Sequence, residues 1–390
     1  MTLRNLARVS ATGLLAAGVL ALAATPALAA DVDFGLDLKG STIALGAEGK
    51  PATVSFTNHG TTKPAEVGVR FDATELDDSK VELDLGACTV EDGIADCLID
   101  EGSIPGPGET SDLDVPLVKK AGATGSAGKL TVTVLVEGDA NQANDSKTVD
   151  VTIAGSGADL RVLAFDVTKI DAENQPTGEP LQPGETSLAY AYVANHGDRT
   201  AVGLKVRVSL PEHVTFAEEE GGCEYSTNNR VATCTAEGYP VIPWDQDDTG
   251  NKENSSLSIA FAVTVSEDAE GPVSLTGGEW TVTGLGVESA DARRARAVAA
   301  VPEFAEKGCG PAEDQVETDA SDNTDGFAVL VAGPDGGNGG GGAEEPGLPV
   351  TGPVAASVAG AGAAVLTLGV VLFVVSRRRR VVLVTPGDEK

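Results

Sequence analysis

The chain has 390 residues, with 27 Lys+Arg against 59 Asp+Glu, a formal net charge of −32 and 41% hydrophobic residues. A surface this acidic repels phosphate backbones and anionic lipid head groups, which excludes nucleic-acid partners and basic-patch adhesins for polyanions, while favouring association with cations. The stretch between its two terminal segments is long enough for about two domains, each able to bury a core.

Residues 1–29 carry the marks of an export signal. Arg4 and Arg8 form a positive n-region, Ala11 to Ala24 is apolar, and Ala27-Leu28-Ala29 is a small-x-small cleavage site, so processing is expected between Ala29 and Ala30. Export places the five cysteines where disulfides persist. Cys88 with Cys97 and Cys223 with Cys234 are two close pairs; Cys309 is left over as a free thiol, an intermolecular bridge or a competing partner. Each pair closes a loop of about ten residues, worth on the order of 2.7 kcal/mol on the loop-entropy model. No Cys-x-x-Cys spacing occurs, and the histidines (His59, His196, His213) lie far from any cysteine, so the pattern does not point to zinc.

From residue 30 to 155 strict apolar alternation dominates. It runs through Val32-Phe34-Leu36-Leu38, Val54-Phe56, Val67-Val69-Phe71 and Val81-Leu83-Leu85, then Leu113-Val115-Leu117, Leu130-Val132-Val134-Val136 and Val149-Val151-Ile153. Period-two runs separated by Gly, Asp, Asn and Pro predict antiparallel strands with one buried face. Seven of them predict an Ig-like β-sandwich, without the Cys…Trp…Cys spacing of antibody domains. Residues 156–333 repeat the plan. Phe56-Thr57-Asn58-His59-Gly60 recurs as Val193-Ala194-Asn195-His196-Gly197, each copy followed by a strand, a cysteine pair and an Asp/Asn turn before the last strand. The turns are Asp139 to Asn144 and Asp319 to Asn323. An internal duplication is expected, all-β with two tandem sandwiches, joined flexibly at Ala154-Gly155-Ser156-Gly157.

In the second copy, Asn195-His196-Gly197, Leu210-Pro211-Glu212-His213-Val214-Thr215-Phe216, Cys223…Cys234 and Asp322-Asn323 resemble the conserved-repeat Ig-like domains of bacterial surface proteins. The first copy matches more weakly because its Leu-Pro segment is missing. The resemblance implies a stalk-like or adhesive extracellular module with no enzymatic activity. Residues 288–318 are an insertion relative to the first copy, with Arg293, Arg294, Arg296 and Cys309. It is either a solvated excursion or the place where a carbohydrate, Ca2+ or protein ligand binds, because functional residues concentrate on loops.

Other chemical signals are weak. Gly125-Ser126-Ala127-Gly128-Lys129 lacks the first glycine and the Ser/Thr of a phosphate loop, with Ala123 and Leu130 in their places. No Gly-x-Ser-x-Gly elbow occurs. His59 and His196 read as turn residues. Asp245-Gln246-Asp247-Asp248-Thr249-Gly250 resembles a calcium loop, but Ser256 stands where the bidentate Glu belongs, so a solvated acidic loop with at most weak Ca2+ binding is expected, and no other cofactor. Asp247 or Asp248 beside a second carboxylate in a cleft would instead point to a hydrolase.

Residues 334–347 are a Gly-rich spacer. Residues 348–390 then read Leu348-Pro349-Val350-Thr351-Gly352, an apolar run over 354–376, and Arg377, Arg378, Arg379 and Arg380. About 22 apolar residues as a helix reach roughly 33 Å, enough for one transmembrane helix, and the arginines stop transfer on the cytoplasmic side. Pro349 biases Leu348 to an extended backbone, and Gly352 leaves the Thr351 carbonyl open to attack. This order resembles the cell-wall sorting signal of Gram-positive surface proteins. The resemblance implies that a sortase cuts between Thr351 and Gly352 and joins the new C-terminus to peptidoglycan, and that the precursor is held in the membrane before cleavage. Family tails end near the basic block, whereas here Val381 to Lys390 follow it.

Overall fold

In the computed structural model, the described residues are 32–333 except 87, 89, 90, 173, 290–311 and 314–316, together with 383–384. The expected signal peptide, spacer, sorting motif and apolar span lie outside them. The described chain is all-β, built of antiparallel sheets in the manner of a β-sandwich.

The first half holds nine strands: β1 (Phe34–Lys39), β2 (Thr42–Ile43), β3 (Gly49–Asn58), β4 (Gly68–Asp72), β5 (Val81–Leu83), β6 (Ile94–Ile99), β7 (Thr110–Lys119), β8 (Gly125–Leu135) and β9 (Ser146–Ile153). One sheet runs β1-β3-β7-β5 and the facing one β2-β9-β8-β4-β6. Their inner faces bury the alternating set read from the sequence, with Phe34, Phe56, Phe71, Val115 and Val132 in one cluster. The second half follows with β10 (Leu160–Ala164), β11 (Thr186–Asn195), β12 (Ala201–Ser209), β13 (Val214–Phe216), β14 (Cys223–Tyr225), β15 (Val231–Val241), β16 (Ser256–Val265) and β17 (Val273–Gly284). It ends with β18 (Val287–Glu288), β19 (Ala312–Glu313) and β20 (Thr324–Val331). Its sheets run β10-β11-β16-β13 and β14-β15-β12-β17-β20.

The two halves share one strand order. Replacing β1, β3, β7, β5 by β10, β11, β16, β13, and β9, β8, β4, β6 by β20, β17, β12, β15, turns one pair of sheets into the other. The register agrees residue by residue: Phe34 pairs with Asn58 as Leu160 pairs with Asn195, and Val69 pairs with Cys97 as Val206 pairs with Cys234. Both cysteine pairs are disulfides, Cys88–Cys97 and Cys223–Cys234. In the second half β14 covers the edge of β15, whereas β6 is met by the short strand β21 (Leu383–Val384), Leu383 opposite Ile99.

The expectation of a flexible joint is corrected. Leu45 N–H donates to Gly155 O at 3.0 Å, and Gly157 N–H and Ser156 Oγ donate to Asp198 Oδ1 at 2.8 and 2.9 Å. Small residues are used here because the chain passes close to the second half, and these hydrogen bonds tie it down. Trp280 anchors the second core, fully buried and 5.6 Å from the Phe261 ring. Trp280→Ala is expected to cost about 3–5 kcal/mol in chemical denaturation. Trp280→Phe should cost less, since among the described residues the indole N–H has no hydrogen-bond partner.

Candidate functional site

The most chemically distinctive place in the described chain is the junction of the halves. Lys50, on β3, points out of the first half into the second, and its side chain is fully buried. Its Nζ lies 2.7 Å from Asp159 Oδ2, 2.9 Å from Asp322 Oδ2 and 3.5 Å from Asp319 Oδ2. An ammonium has three N–H donors, and three carboxylates surround it. Asp159 immediately precedes β10; Asp319 and Asp322 belong to the Asp/Asn turn before β20, where Asp319 caps a short 3-10 turn (Ala320–Asp322). The sequence patterns therefore place these acids at one end of the second half by ordinary turn chemistry.

Electrostatics decide the protonation. Burial opposes charge on Lys50, but Asp159, Asp322 and Asp319 outweigh it and raise the lysine pKa, so the side chain is an ammonium. Burial pushes Asp159 and Asp322 up, against the pull of Lys50, and it raises Glu317 to about 7. Asp319 goes the other way: burial is overcome by Lys50 and by hydrogen bonds from Ser321 and Thr42. The site thus holds more carboxylates than one ammonium neutralises. Beside it, Arg161 is buried and reaches back across the junction to Thr53 Oγ1 at 3.1 Å and to the Asp114 carboxylate. His196 is buried too, 5.4 Å from the Trp244 ring; burial, Arg161 and Lys50 hold its pKa well below the usual value, so it is neutral.

Backbone amides complete the junction. Gly40 N donates to Ser321 Oγ (3.0 Å), Thr42 N to Asp319 Oδ2 (2.8 Å), Gly46 N to Asp198 Oδ2 (2.9 Å) and Glu48 N to Asp245 Oδ2 (2.9 Å). Gly40 has φ +77°, and a Cβ there would lie 2.9 Å from Asp322 Oδ2, so this approach needs glycine.

The sequence-based candidates fall out as follows. His59 and His196 occupy equivalent strand ends, as expected. The loop at 245–250 is not simply a solvated one, because it packs on the junction. Asp247 is buried and accepts from Thr249, Asn254 and Ser255 N–H groups. Burial disfavours its charge, but these donors hold its pKa down at about 2, so it is a loop staple. Among the described residues no group of three or more His, Cys, Asp or Glu is arranged to hold a metal ion. Ala29, Ala30, Leu348, Pro349, Val350, Thr351, Gly352 and Arg377 to Arg380 lie outside the described residues, as do Arg293, Arg294, Arg296 and Cys309. Lys50 and Asp159 were not singled out by sequence, and Asp319 and Asp322 were read only as turn residues. The available signal was a lysine within an alternating strand of a base-poor chain.

No protein-family model matches the chain, and no curated protein does. Among solved structures, a cohesin–dockerin complex from Clostridium thermocellum is similar at 9% identity over 44% of this chain and 99% of that one, with a TM-score of 0.21. An Escherichia coli alpha-2-macroglobulin activated by porcine elastase is similar at 11% identity over 79% of this chain, with a TM-score of 0.22. A Salmonella alpha-2-macroglobulin reacted with methylamine gives 11% identity over 77%, with a TM-score of 0.24. The chain spans 22% and 16% of those two macroglobulins. Likenesses this distant carry no argument, and the strand order stands on its own.

Lys50→Ala leaves buried carboxylates without their cation, so it is expected to cost about 3–5 kcal/mol and to raise proteolysis at 155–157. Glu317 has a folded pKa above its ordinary 4.5, so its contribution is full below pH 4.5 and is lost as pH rises through about 7. Denaturation midpoints should therefore fall over that window, and Glu317→Gln should flatten the fall.

Proposed function

We propose that this chain is an exported surface protein of a Gram-positive bacterium. A sortase cuts it between Thr351 and Gly352 and links it to peptidoglycan, so that two tandem Ig-like β-sandwiches are displayed as a non-enzymatic structural or adhesive module. The observation that carries this reading is the ordered run of Leu348-Pro349-Val350-Thr351-Gly352, an apolar stretch of membrane-spanning length, and four arginines. Three features support it. The N-terminal segment has the n-region, apolar run and cleavage pattern of an export signal. Two disulfides suit an oxidising exterior. The pinned junction suits a module that must project as a unit. Before cleavage the precursor crosses the membrane through residues 354–376.

One observation favours a second reading. Strand β21 pairs with β6, which sets Leu383–Val384 on the same side as the first half, whereas a spanning segment would separate them. In that reading the C-terminal segment folds back on the protein and no anchoring occurs. Among the described residues no helix is long and apolar enough to cross a membrane.

Mass spectrometry of muramidase-released wall fragments separates the two. Anchoring predicts a C-terminal peptide ending at Thr351 and bonded to a cell-wall amine, with Thr351→Ala shifting the protein to the membrane fraction. Recovery of the extracellular protein with Leu383–Val384 still attached would overturn it.

A further inference from the structure

The two disulfides stand at equal places in the two halves, with Cys97 opposite Val69 and Cys234 opposite Val206, yet their surroundings differ. Cys97 is 2% exposed and belongs to the first core cluster. Cys223 and Cys234 are both half-buried and only border the second core. Their disulfide joins two strands that are already paired: Cys223 lies opposite Cys234, Glu224 opposite Thr233 and Tyr225 opposite Ala232, with β14 the outermost strand of its sheet. This hairpin is firm at its turn, where Ser226 N donates to Val231 O at 2.8 Å and Val231 N donates to Ser226 Oγ at 2.9 Å. At its open end the hydrogen bonds are long, from Cys223 N to Glu220 O at 3.3 Å and from Thr235 N to Gly222 O at 3.4 Å. The segment leading to that end, Ala217 to Gly222, is exposed throughout, and a Cβ added to Gly221 or Gly222 would meet nothing within 4 Å.

From this arrangement we propose that Cys223–Cys234 is a redox-operated clasp: a dithiol reductant opens it in the folded protein and releases the open end of the β14–β15 hairpin, whereas Cys88–Cys97 stays closed. Thiol–disulfide exchange needs a sulfur that the attacking thiolate can reach and a leaving thiolate that water can solvate. Both half-buried sulfurs of the clasp meet these needs at the rim of the second core. In the first half, burial shields Cys97 from attack, and attack on Cys88 would expel Cys97 as a thiolate inside an apolar core. The exposed Glu218, Glu219, Glu220 and Glu224 flank Cys223 and repel anionic thiols, so the matching reductant is an uncharged dithiol.

The exchange balances without another reactant. One thiolate of the dithiol attacks a clasp sulfur, forms a mixed disulfide and expels the other cysteine, which takes up a proton. The second thiolate of the dithiol then displaces the first cysteine and closes a cyclic disulfide, so two electrons and two protons end on Cys223 and Cys234. With the clasp open, only the two long hydrogen bonds hold the end of the hairpin. Tyr225, edge-on to Phe216 at 5.2 Å, keeps the turn end in place, so fraying is confined to the segment before it. Thr233 to Thr235 on β15 then become an uncovered sheet edge, continuous with the exposed residues 236–239. The inference does not depend on wall anchoring.

The test uses the purified full chain, with any free thiol first blocked by N-ethylmaleimide. The protein is treated with dithiothreitol without denaturant, quenched at intervals with iodoacetamide, and its labelled cysteines are counted by peptide mass spectrometry. Cys223 and Cys234 are expected to be labelled about tenfold or more faster than Cys88 and Cys97. Hydrogen exchange of the protein reduced at the clasp should rise over residues 217–235 and stay unchanged over 88–99. The double substitution Cys223→Ser with Cys234→Ser is expected to give the same rise without reductant. Equal or slower labelling of Cys223 and Cys234, labelling that begins only when denaturant unfolds the chain, or unchanged exchange over 217–235 after reduction would each overturn the proposal.

Discussion

One buried ammonium holds this molecule together as a unit. Lys50 leaves the first half and ends among Asp159, Asp319 and Asp322 of the second, in a place with no access to water. Isolated, any of these charges would be costly to bury; together they make an arrangement in which removing one member leaves the others stranded. Such a contact adds less to net stability than its short distances suggest. What it adds is position, because the carboxylates are satisfied in one relative placement of the halves only. Arg161 makes the reciprocal reach from the second half to Thr53 and Asp114, so the junction is fixed by a side chain from each side.

The junction reuses parts that the fold already had. An Asp/Asn turn before the final strand and an aspartate before the first strand occur in both halves, and in both they organise backbone N–H groups. These are turn devices first. In the second half the turn is richer in carboxylates, with Asp319 and Asp322 where the first has Asn141 and Asn144, and that change of two amides to acids separates a capped strand end from a cation receptor. The repeated strand order therefore carries two poles of one hydrogen-bond pattern and different charge.

Much of the fold was legible because it follows from period two. Phe34 and Leu38, Val54 and Phe56, Val67 to Phe71, and Leu130 to Val134 all bury the face that their alternation indicates. Strand β6 was not legible: its inward residues are Ala95, Cys97 and Ile99, while Ile94 is exposed and Leu98 faces outward, so the apolar pattern points the wrong way. In the second half, β15 and β16 place Ala, Ser and Thr on their faces and show little contrast. The repeated strand order was foreshadowed by Asn-His-Gly and the cysteine pairs. The junction was not, because a lysine on a strand ordinarily reads as the solvent side, and only tertiary contact reveals that Lys50 faces a second body. Ala154 to Gly157 misled for a related reason: Gly and Ser suit a loose linker and equally suit a chain squeezed between two surfaces.

The composition explains why the junction is made as it is. With 27 basic residues against 59 acidic ones, an interface between two acidic bodies cannot be matched by ion pairs throughout. Elsewhere along the junction carboxylates are met by main-chain donors, with Thr42, Gly46 and Glu48 N–H groups serving Asp319, Asp198 and Asp245 in turn. Main-chain donors carry no mobile counterions and hold their geometry through the strand they belong to. Exposed ion pairs weaken as salt rises, whereas the enclosed contacts of Lys50 with Asp159 and Asp322 are screened far less. A junction built on amides and one enclosed lysine keeps its register as ionic strength changes. The same choice makes it depend on close backbone approach, which is why Gly40 and Gly46, lying against Asp322 and Asp198, leave no room for a side chain.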